Sequence, residues 1–410
     1  MQNATINQYK VLGVIGTGAY GVVLHAADTH THKQYAIKAI LKSRQASRNA
    51  DGEKYSAALQ TYLEKFLGNK EHNSPLQLPQ LDLDALRSLT PDDMRQVPYY
   101  KEVCLQLRVQ RHANVVSIHE ALDSPHVTFI VMDYYRRDLF TSIVDDQHFA
   151  ADGQLIKRVF LQICSALQYC HDQGVAHCDI KPENLLLDEH DNVYLCDFGL
   201  SSTDRWLKPN VSVGSPYYMA PERLCVDANL AGEFPTASSD VWSLGIILIN
   251  LACMRNPWLK AHKRDDITFQ HFHRNTRVLR KLLPISNEFY GLLCKVLRIN
   301  PLERISLHAL MADVAQLQSF TRDGPLHSVP VIHYEEINDE AYYATPQIGS
   351  GSSGATTIFR SASIQTLFDV GYDRSENIQS TCTSDNDDGL CKEFYPPYGI
   401  PQNQRDSINV

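Results

Sequence analysis

The run His177-Cys178-Asp179-Ile180-Lys181-Pro182-Glu183-Asn184 is followed, thirteen residues after Asn184, by Asp197-Phe198-Gly199. Two carboxylates, an ammonium and an amide in this order suit phosphoryl transfer, which asks a protein for placement and charge neutralisation rather than covalent chemistry. In that chemistry Asp179 orients an attacking hydroxyl and accepts its proton, while Lys181 steadies the transferred phosphate. Asn184 and Asp197 supply hard oxygen ligands for Mg2+, an ion that also binds phosphate oxygens. The competing explanation is chance, and so many members in order at fixed spacing make it negligible.

Such residues need a nucleotide held beside them. Gly16-Thr17-Gly18-Ala19-Tyr20-Gly21 lets backbone N–H groups approach phosphates without side-chain clashes. The same spacing opens the fold of dinucleotide-binding oxidoreductases, but there a helix follows. Here β-branched Val22 and Val23 continue as a strand, so a strand–loop–strand flap over ATP is expected. Lys38, in Tyr35-Ala36-Ile37-Lys38, comes fifteen residues after Val23 and is placed to reach the α- and β-phosphates. A lysine on a strand is more often solvated; one held in place needs a carboxylate, and Glu102 on the next helical run is the candidate.

Together these motifs resemble the eukaryotic protein kinases over about residues 9–316, leaving out an insertion. The resemblance implies an α+β bilobal fold, with a β-rich N-lobe (about 9–134) carrying one main helix and a larger, mostly helical C-lobe (about 139–318). It implies ATP and Mg2+ as cofactors and proteins as substrates. It supports Glu102, because His112-Ala113-Asn114-Val115-Val116 follows at about the family's distance. Gln106 then falls where the family places an apolar residue, a role Leu105 or Leu107 could take through a shifted helix. By the same comparison Gly16, Gly18 and Gly21 cover the phosphates, and Ile15, Val23, Ala36 and Leu186 sandwich the adenine. Met132 backs the pocket, the backbone from Asp133 to Tyr135 bonds the base, and Asp138 lies near the ribose. Asp240 resembles the buried aspartate beneath the catalytic loop, and Arg304 the arginine that pairs with Glu222. Lys181 and Ser215 resemble the serine/threonine class, and Glu183 and Asp138 the carboxylates that read an arginine upstream of the acceptor.

One departure matters. The family usually has arginine where this chain has Cys178, and that arginine gathers an activation-segment phosphate through charge-assisted bonds. A thiol cannot. Activity independent of phosphate at Ser201, Ser202, Thr203 or Ser212 is therefore expected. With the segment Gly214-Ser215-Pro216-Tyr217-Tyr218-Met219-Ala220-Pro221-Glu222, the His-Cys-Asp form is similar to a fungal group of serine/threonine kinases linked to nutrient response and restraint of meiosis. Since every residue that chemistry requires is present, a nucleotide-binding pseudokinase scaffold is the weaker alternative.

Composition bounds the rest. Of 410 residues, 43% are hydrophobic and 21% charged, and the net charge is −9. Thirteen acidic and five basic residues in 321–410 carry most of that charge, so no electrostatic grip on nucleic acid is expected. Ten cysteines lack metal or CxxC spacing, and buried free thiols are the expectation, Cys178 and Cys196 beside the catalytic aspartates included. His262, His271 and His273 do not share a helix face, so no metal cluster is expected. The apolar run Val241 to Met254 is too short to span a bilayer, and no secretory signal opens the chain, so a monomer in cytoplasm or nucleus without membrane contact is expected. Residues 44–97 read as a surface insertion, with a helical patch from Glu53 to Leu67 and then a proline-punctuated loop. Residues 319–410, rich in Ser, Thr, Gly and acid, read as a disordered tail, with Ser363 a site of self-phosphorylation.

Overall fold

The alternating pattern after Tyr9 resolves into antiparallel strands, whose side chains point to two faces in turn. The structure is a computed structural model, described here over residues 2–18, 21–42, 52–68, 76–150, 152–208, 213–224 and 232–322. Strands β1 (Thr5–Ile6), β2 (Tyr9–Gly18), β3 (Gly21–Asp28) and β4 (Gln34–Leu41) come first. Helices α1 (Gly52–Gly68), α2 (Leu83–Ser88), α3 (Pro91–Gln96) and α4 (Lys101–Val109) follow, then β5 (Ile118–Asp123) and β6 (Val127–Asp133). The six strands form one sheet in the order β1-β2-β3-β4-β6-β5.

The two faces of this sheet have different fates. Val22, Leu24, Ile37, Ala39, Phe129 and Val131 are fully buried on one face, beneath Leu59 and Leu63 of α1. The opposite face carries Lys38, which pairs across the ladders with Val23 and Ile130. Val23 and Ala36 on that face are only half-buried. That face forms the roof of a cleft.

Here the structure corrects the reading of the insertion. Its first helix is a core element, because Leu59 and Leu63, one turn apart, cover the sheet. Residues 76–81 bridge both edge strands, Leu76 to Ile6 in β1 and Gln80 to Leu122 in β5, which protects edges that would otherwise offer unpaired backbone. The expected loop also holds two capped helices. Asp82 caps α2 by accepting from the amides of Asp84 and Ala85. Thr90 and Asp93 form a reciprocal capping box on α3, with Pro91 in the first turn. Leu86 and Met94 anchor the two helices in the core shared with α4. Residues 44–51 and 69–75 of the insertion lie outside the described residues.

The C-lobe opens with β7 (Arg137–Asp138), α5 (Leu139–Val144) and α6 (Gly153–Asp172). It continues with β8 (Leu185–Leu187), β9 (Val193–Leu195), β10 (Trp206–Leu207), α7 (Pro221–Leu224) and β11 (Phe234–Pro235). Five helices complete it: α8 (Thr236–Cys253), α9 (Ile267–Arg274), α10 (Val278–Leu282), α11 (Asn287–Val296) and α12 (Leu307–Gln316). On α6 the apolar positions Leu155, Val159, Ile163 and Leu167 are all buried, as their spacing predicts. The full α8 is longer than its apolar run and could cross a membrane by length and composition alone, but 89% of it is buried inside the lobe. The kinase-like body exceeds its expected limits at both ends. Ile6 is fully buried in β1, and Phe320, 1% exposed, meets Phe289 edge-on at 5.4 Å. Residues 323–410, with Ser363, lie outside the described residues.

Candidate active site

The catalytic loop is pinned from below. Asp240, near the start of α8, accepts the amide hydrogens of His177 (2.9 Å) and Cys178 (2.8 Å). Its Oδ2 also lies 2.8 Å from the His171 ring, and that bond, against the effect of burial, helps hold its pKa below the usual range. Held this way, Cys178 takes a left-handed backbone (φ 65°) that a non-glycine residue rarely adopts. The turn presents Asp179 to the cleft.

Three groups orient that carboxylate. Lys181 Nζ lies 2.8 Å from Asp179 Oδ2, Asn184 Nδ2 donates to the same oxygen at 3.2 Å, and the Ser215 amide donates to Oδ1 at 3.3 Å. Asn184 also donates to the Asp179 carbonyl at 2.9 Å. Gly214 crowds the other side at φ +118°, where an added Cβ would sit 2.9 Å from Asp179 Oδ1. Only glycine fits there.

Above them, Lys38 Nζ is shared by two acids, 2.5 Å from Glu102 Oε1 and 2.9 Å from Asp197 Oδ1. Burial opposes the Lys38 charge, yet Asp197 and Glu102 outweigh it and push its pKa up. Burial would also raise Asp197, but Lys38 and Lys181 pull it well below the usual carboxylate range. For Glu102 burial prevails over the pull of Lys38, and its pKa is raised. Burial likewise opposes the charge on Lys181, and Asp179 and Glu183 reverse it.

The donor set fits a divalent ion. Neither Asn184 Oδ1 nor Asp197 Oδ2 accepts a hydrogen bond from a described residue, and both belong to side chains otherwise fixed by Asp179 and Lys38. Two hard oxygens suit Mg2+, which takes one or two protein ligands and completes its shell with phosphate and water. The described residues hold no cluster of three His, Cys, Asp or Glu side chains, and His262, His271 and His273 form none.

For the nucleotide, Ile15, Val23, Ala36 and Leu186 are each half-buried, whereas Met132 is buried beside Ala36 across the β4–β6 ladder. Gly21 has Ala39's carbonyl so close that a Cβ would lie 2.7 Å from it, while a Cβ on Gly18 would meet nothing. Gly16 pairs with Val23 across β2 and β3; Ala19 and Tyr20 lie outside the described residues. At the connection between the lobes, the Asp133 amide donates to the Ser117 carbonyl at 3.2 Å, and the Tyr135 ring stacks on that of Tyr194 at 4.2 Å. Asp138 is 4% exposed and caps α5, accepting from Thr141's amide at 2.7 Å. Glu183 Oε2 is buried without a hydrogen-bond partner among the described residues, and burial pushes its pKa up to about 7.

Two residues behave otherwise than their sequence suggested. Gln106 keeps the position one turn beyond Glu102, fully buried, with no shift of the helix toward Leu105 or Leu107. Its Nε2 donates to Val116's carbonyl (2.9 Å) and approaches Met132 Sδ (3.7 Å), and its Oε1 has no partner among the described residues. Arg223, unremarked in the sequence, is 5% exposed and bonds the carbonyls of Cys178 and Val213. Its only signal was a second charge beside Glu222 in an otherwise apolar run. Cys178 itself is buried, and burial pushes its thiol up to about 12, which leaves it unreactive. Burial raises the Cys196 thiol as well.

The chain belongs to the protein kinase family, whose protein kinase domain matches residues 86–314. It is 50% identical over 353 residues to serine/threonine-protein kinase SKS1 of Saccharomyces cerevisiae, covering 82% of this chain and 70% of that protein. Serine/threonine-protein kinase VHS1 of the same yeast is 50% identical over 343 residues, covering 80% and 74%. The negative regulator of sexual conjugation and meiosis from Schizosaccharomyces pombe is 32% identical over 349 residues, covering 80% and 64%. The protein is thus an ATP-dependent protein kinase, and neither its site nor its relatives favour a scaffold without catalysis.

Proposed function

We propose that this kinase transfers the γ-phosphoryl group of Mg-ATP to serine and threonine hydroxyls of proteins, and does so without a phosphate on its activation segment. The reading rests on Lys38, whose ammonium joins Glu102 and Asp197, next to a catalytic loop that already presents Asp179. Lys38 holds the α- and β-phosphates, under the loop of Gly16, Gly18 and Gly21. Asp179 aligns the acceptor hydroxyl and takes its proton as the oxygen–phosphorus bond forms and the bond to the leaving ADP breaks. Lys181 balances charge on the transferred group. Asn184 and Asp197 would hold Mg2+, which when bound would neutralise charge on the phosphate oxygens. The adenine lies between Ile15, Val23, Ala36 and Leu186, against Met132, with its edge toward the Asp133 carbonyl and Tyr135 amide; Asp138 lies near the ribose.

Phosphate independence has its own support. Ser201 is fully buried and donates to the His177 carbonyl at 3.2 Å, out of reach of an incoming phosphoryl group. The segment is tied elsewhere by protein groups: Ser202 pairs with Ala176 through two 2.9 Å bonds, and Trp206–Leu207 pairs with Phe234–Pro235. The unpartnered Glu183 oxygen supports a preference for arginine upstream of the acceptor. Action as a monomer on proteins, without nucleic acid or membrane, in cytoplasm or nucleus, completes the proposal; the seven described cysteines are free thiols, as a reducing compartment keeps them.

Alanine at Ser201, Ser202, Thr203 and Ser212 together should leave turnover on a serine/threonine peptide within about tenfold of wild type. A hundredfold loss in a folded protein would overturn phosphate independence.

A further inference from the structure

Arg223 does work that the cysteine at 178 cannot. Its Nη1 donates to the Cys178 carbonyl at 2.5 Å and its Nη2 to the Val213 carbonyl at 2.8 Å. Both contacts stand one residue from the catalytic carboxylate's surroundings. Cys178 directly precedes Asp179. Val213 directly precedes Gly214, where an added Cβ would lie 2.9 Å from Asp179 Oδ1, and the next residue, Ser215, donates to that oxygen.

The Cys178 residue is therefore clamped from two sides, its amide on Asp240 and its carbonyl on Arg223. A left-handed non-glycine backbone persists only where its surroundings over-determine it, and this clamp fulfils that condition. The guanidinium has no ion-pair partner among the described residues, and its Nε has no hydrogen-bond partner among them either. A buried cation that meets two carbonyl dipoles gains no ion pair in return for its burial. The neighbouring Glu222 already fixes α7 through Arg304. A planar fork with two parallel donors is instead suited to hold two backbone segments at a fixed spacing.

We propose that Arg223 is a positioning residue for Asp179. It ties the catalytic loop to the segment of Gly214 and Ser215, the tie that a phosphate gathered by arginine provides in kinases with that residue at the cysteine's position. The inference rests on the reading that this kinase works without an activation-segment phosphate.

The test uses full-length protein treated with phosphatase and shown by mass spectrometry to carry no phosphate on the activation segment. In Arg223→Ala, kcat on a peptide substrate should fall about a hundredfold, the loss expected when a reacting group is misplaced by about an ångström. The KM for ATP should stay within about threefold, since the nucleotide contacts are elsewhere. Methylguanidine, at concentrations far below those that unfold the protein, should restore much of kcat in the variant and none in wild type. Arg223→Lys, which keeps the charge and one donor to a carbonyl, should lose about tenfold in kcat and provides the measurement if the alanine variant does not fold. A folded Arg223→Ala with wild-type kcat, or an unchanged Arg223→Lys where alanine fails to fold, overturns the proposal. So does a kcat loss that tracks falling thermal stability without rescue. If the phosphatase-treated wild type is itself inactive, phosphate independence has failed, and the proposal falls with it; an active wild type beside an equally active Arg223→Ala sinks the proposal alone.

Discussion

The base of the C-lobe and the roof of the cleft both bury a cation against a carboxylate, and they do it to different ends. At the base, Arg304 meets Glu222 through two parallel bonds of 2.7 and 2.9 Å, with exposures of 0% and 1%. The same guanidinium also donates to the carbonyls of Ser238 and Arg298 and lies 5.2 Å from the Trp242 ring. Every donor is used, and nothing is left to exchange. In the roof, Lys38 is a point charge on a flexible stem, divided between Glu102 and an Asp197 that is 31% exposed. Such a charge can move toward a phosphate. A saturated fork secures architecture, whereas a shared ammonium secures reactivity.

That contrast can be broken in order of expected size. Lys38→Met should lower kcat/KM by about a thousandfold or more, because the cleft loses its preorganised positive charge. Its unfolding free energy should move by only about 1 kcal/mol, since the raised pKa of Glu102 lets that acid accept a proton instead of remaining a bare charge. Peptide kinetics beside urea unfolding would separate the two quantities. A collapse of stability would erase the distinction between roof and base.

Arg304→Ala should do the reverse. Removing one member of a buried pair strands the other, at a cost of about 3–5 kcal/mol, read as a shift of the urea midpoint. Glu222→Leu combined with Arg304→Met should recover most of that loss, because an apolar pair leaves no charge uncompensated. If the double variant were as unstable as the single, the pair would matter for more than its own charge balance.

The smallest effect concerns Glu183, a cleft acid with no cation of its own on Oε2. Its raised pKa, about 7, means that it is largely protonated at pH 6 and largely ionised at pH 8. Only the ionised form attracts a cation, so KM for a peptide with arginine upstream of its serine should fall several-fold across that interval. Glu183→Gln should flatten this dependence, and a neutral peptide should show none of it. An equal trend for both peptides would remove Glu183 from substrate recognition.

How much of this was legible depended on what fixed each residue. Asp179, Lys181, Asn184 and Asp197 could be read from sequence because chemistry dictates both their types and their spacing. Asp240 was legible through resemblance, and its bonds to two consecutive amides explain why an aspartate stands there. The insertion was misread in part. Thr90-Pro91-Asp92-Asp93 is a helix start written in the sequence, but four prolines drew attention toward loops. Leu59 and Leu63 could not be assigned to a core whose other half lies on strands far away in the chain. The limits of the body were missed because a two-residue strand and a lone Phe320 have no period to detect. Gln106 was missed for the opposite reason: an amide in an apolar position looks like a register error, and it is instead held in place by Val116.

Gln106 also bears on inhibitor chemistry. Its Nε2 lies 3.7 Å from Met132 Sδ, and its buried Oε1 meets no donor among the described residues, a state that costs on the order of 1–3 kcal/mol. A compound that occupies the adenine site and extends an N–H as far as that oxygen would satisfy a buried acceptor. Kinases with a methyl group at that depth offer no such reward, so selectivity for this enzyme can be sought from a single amide.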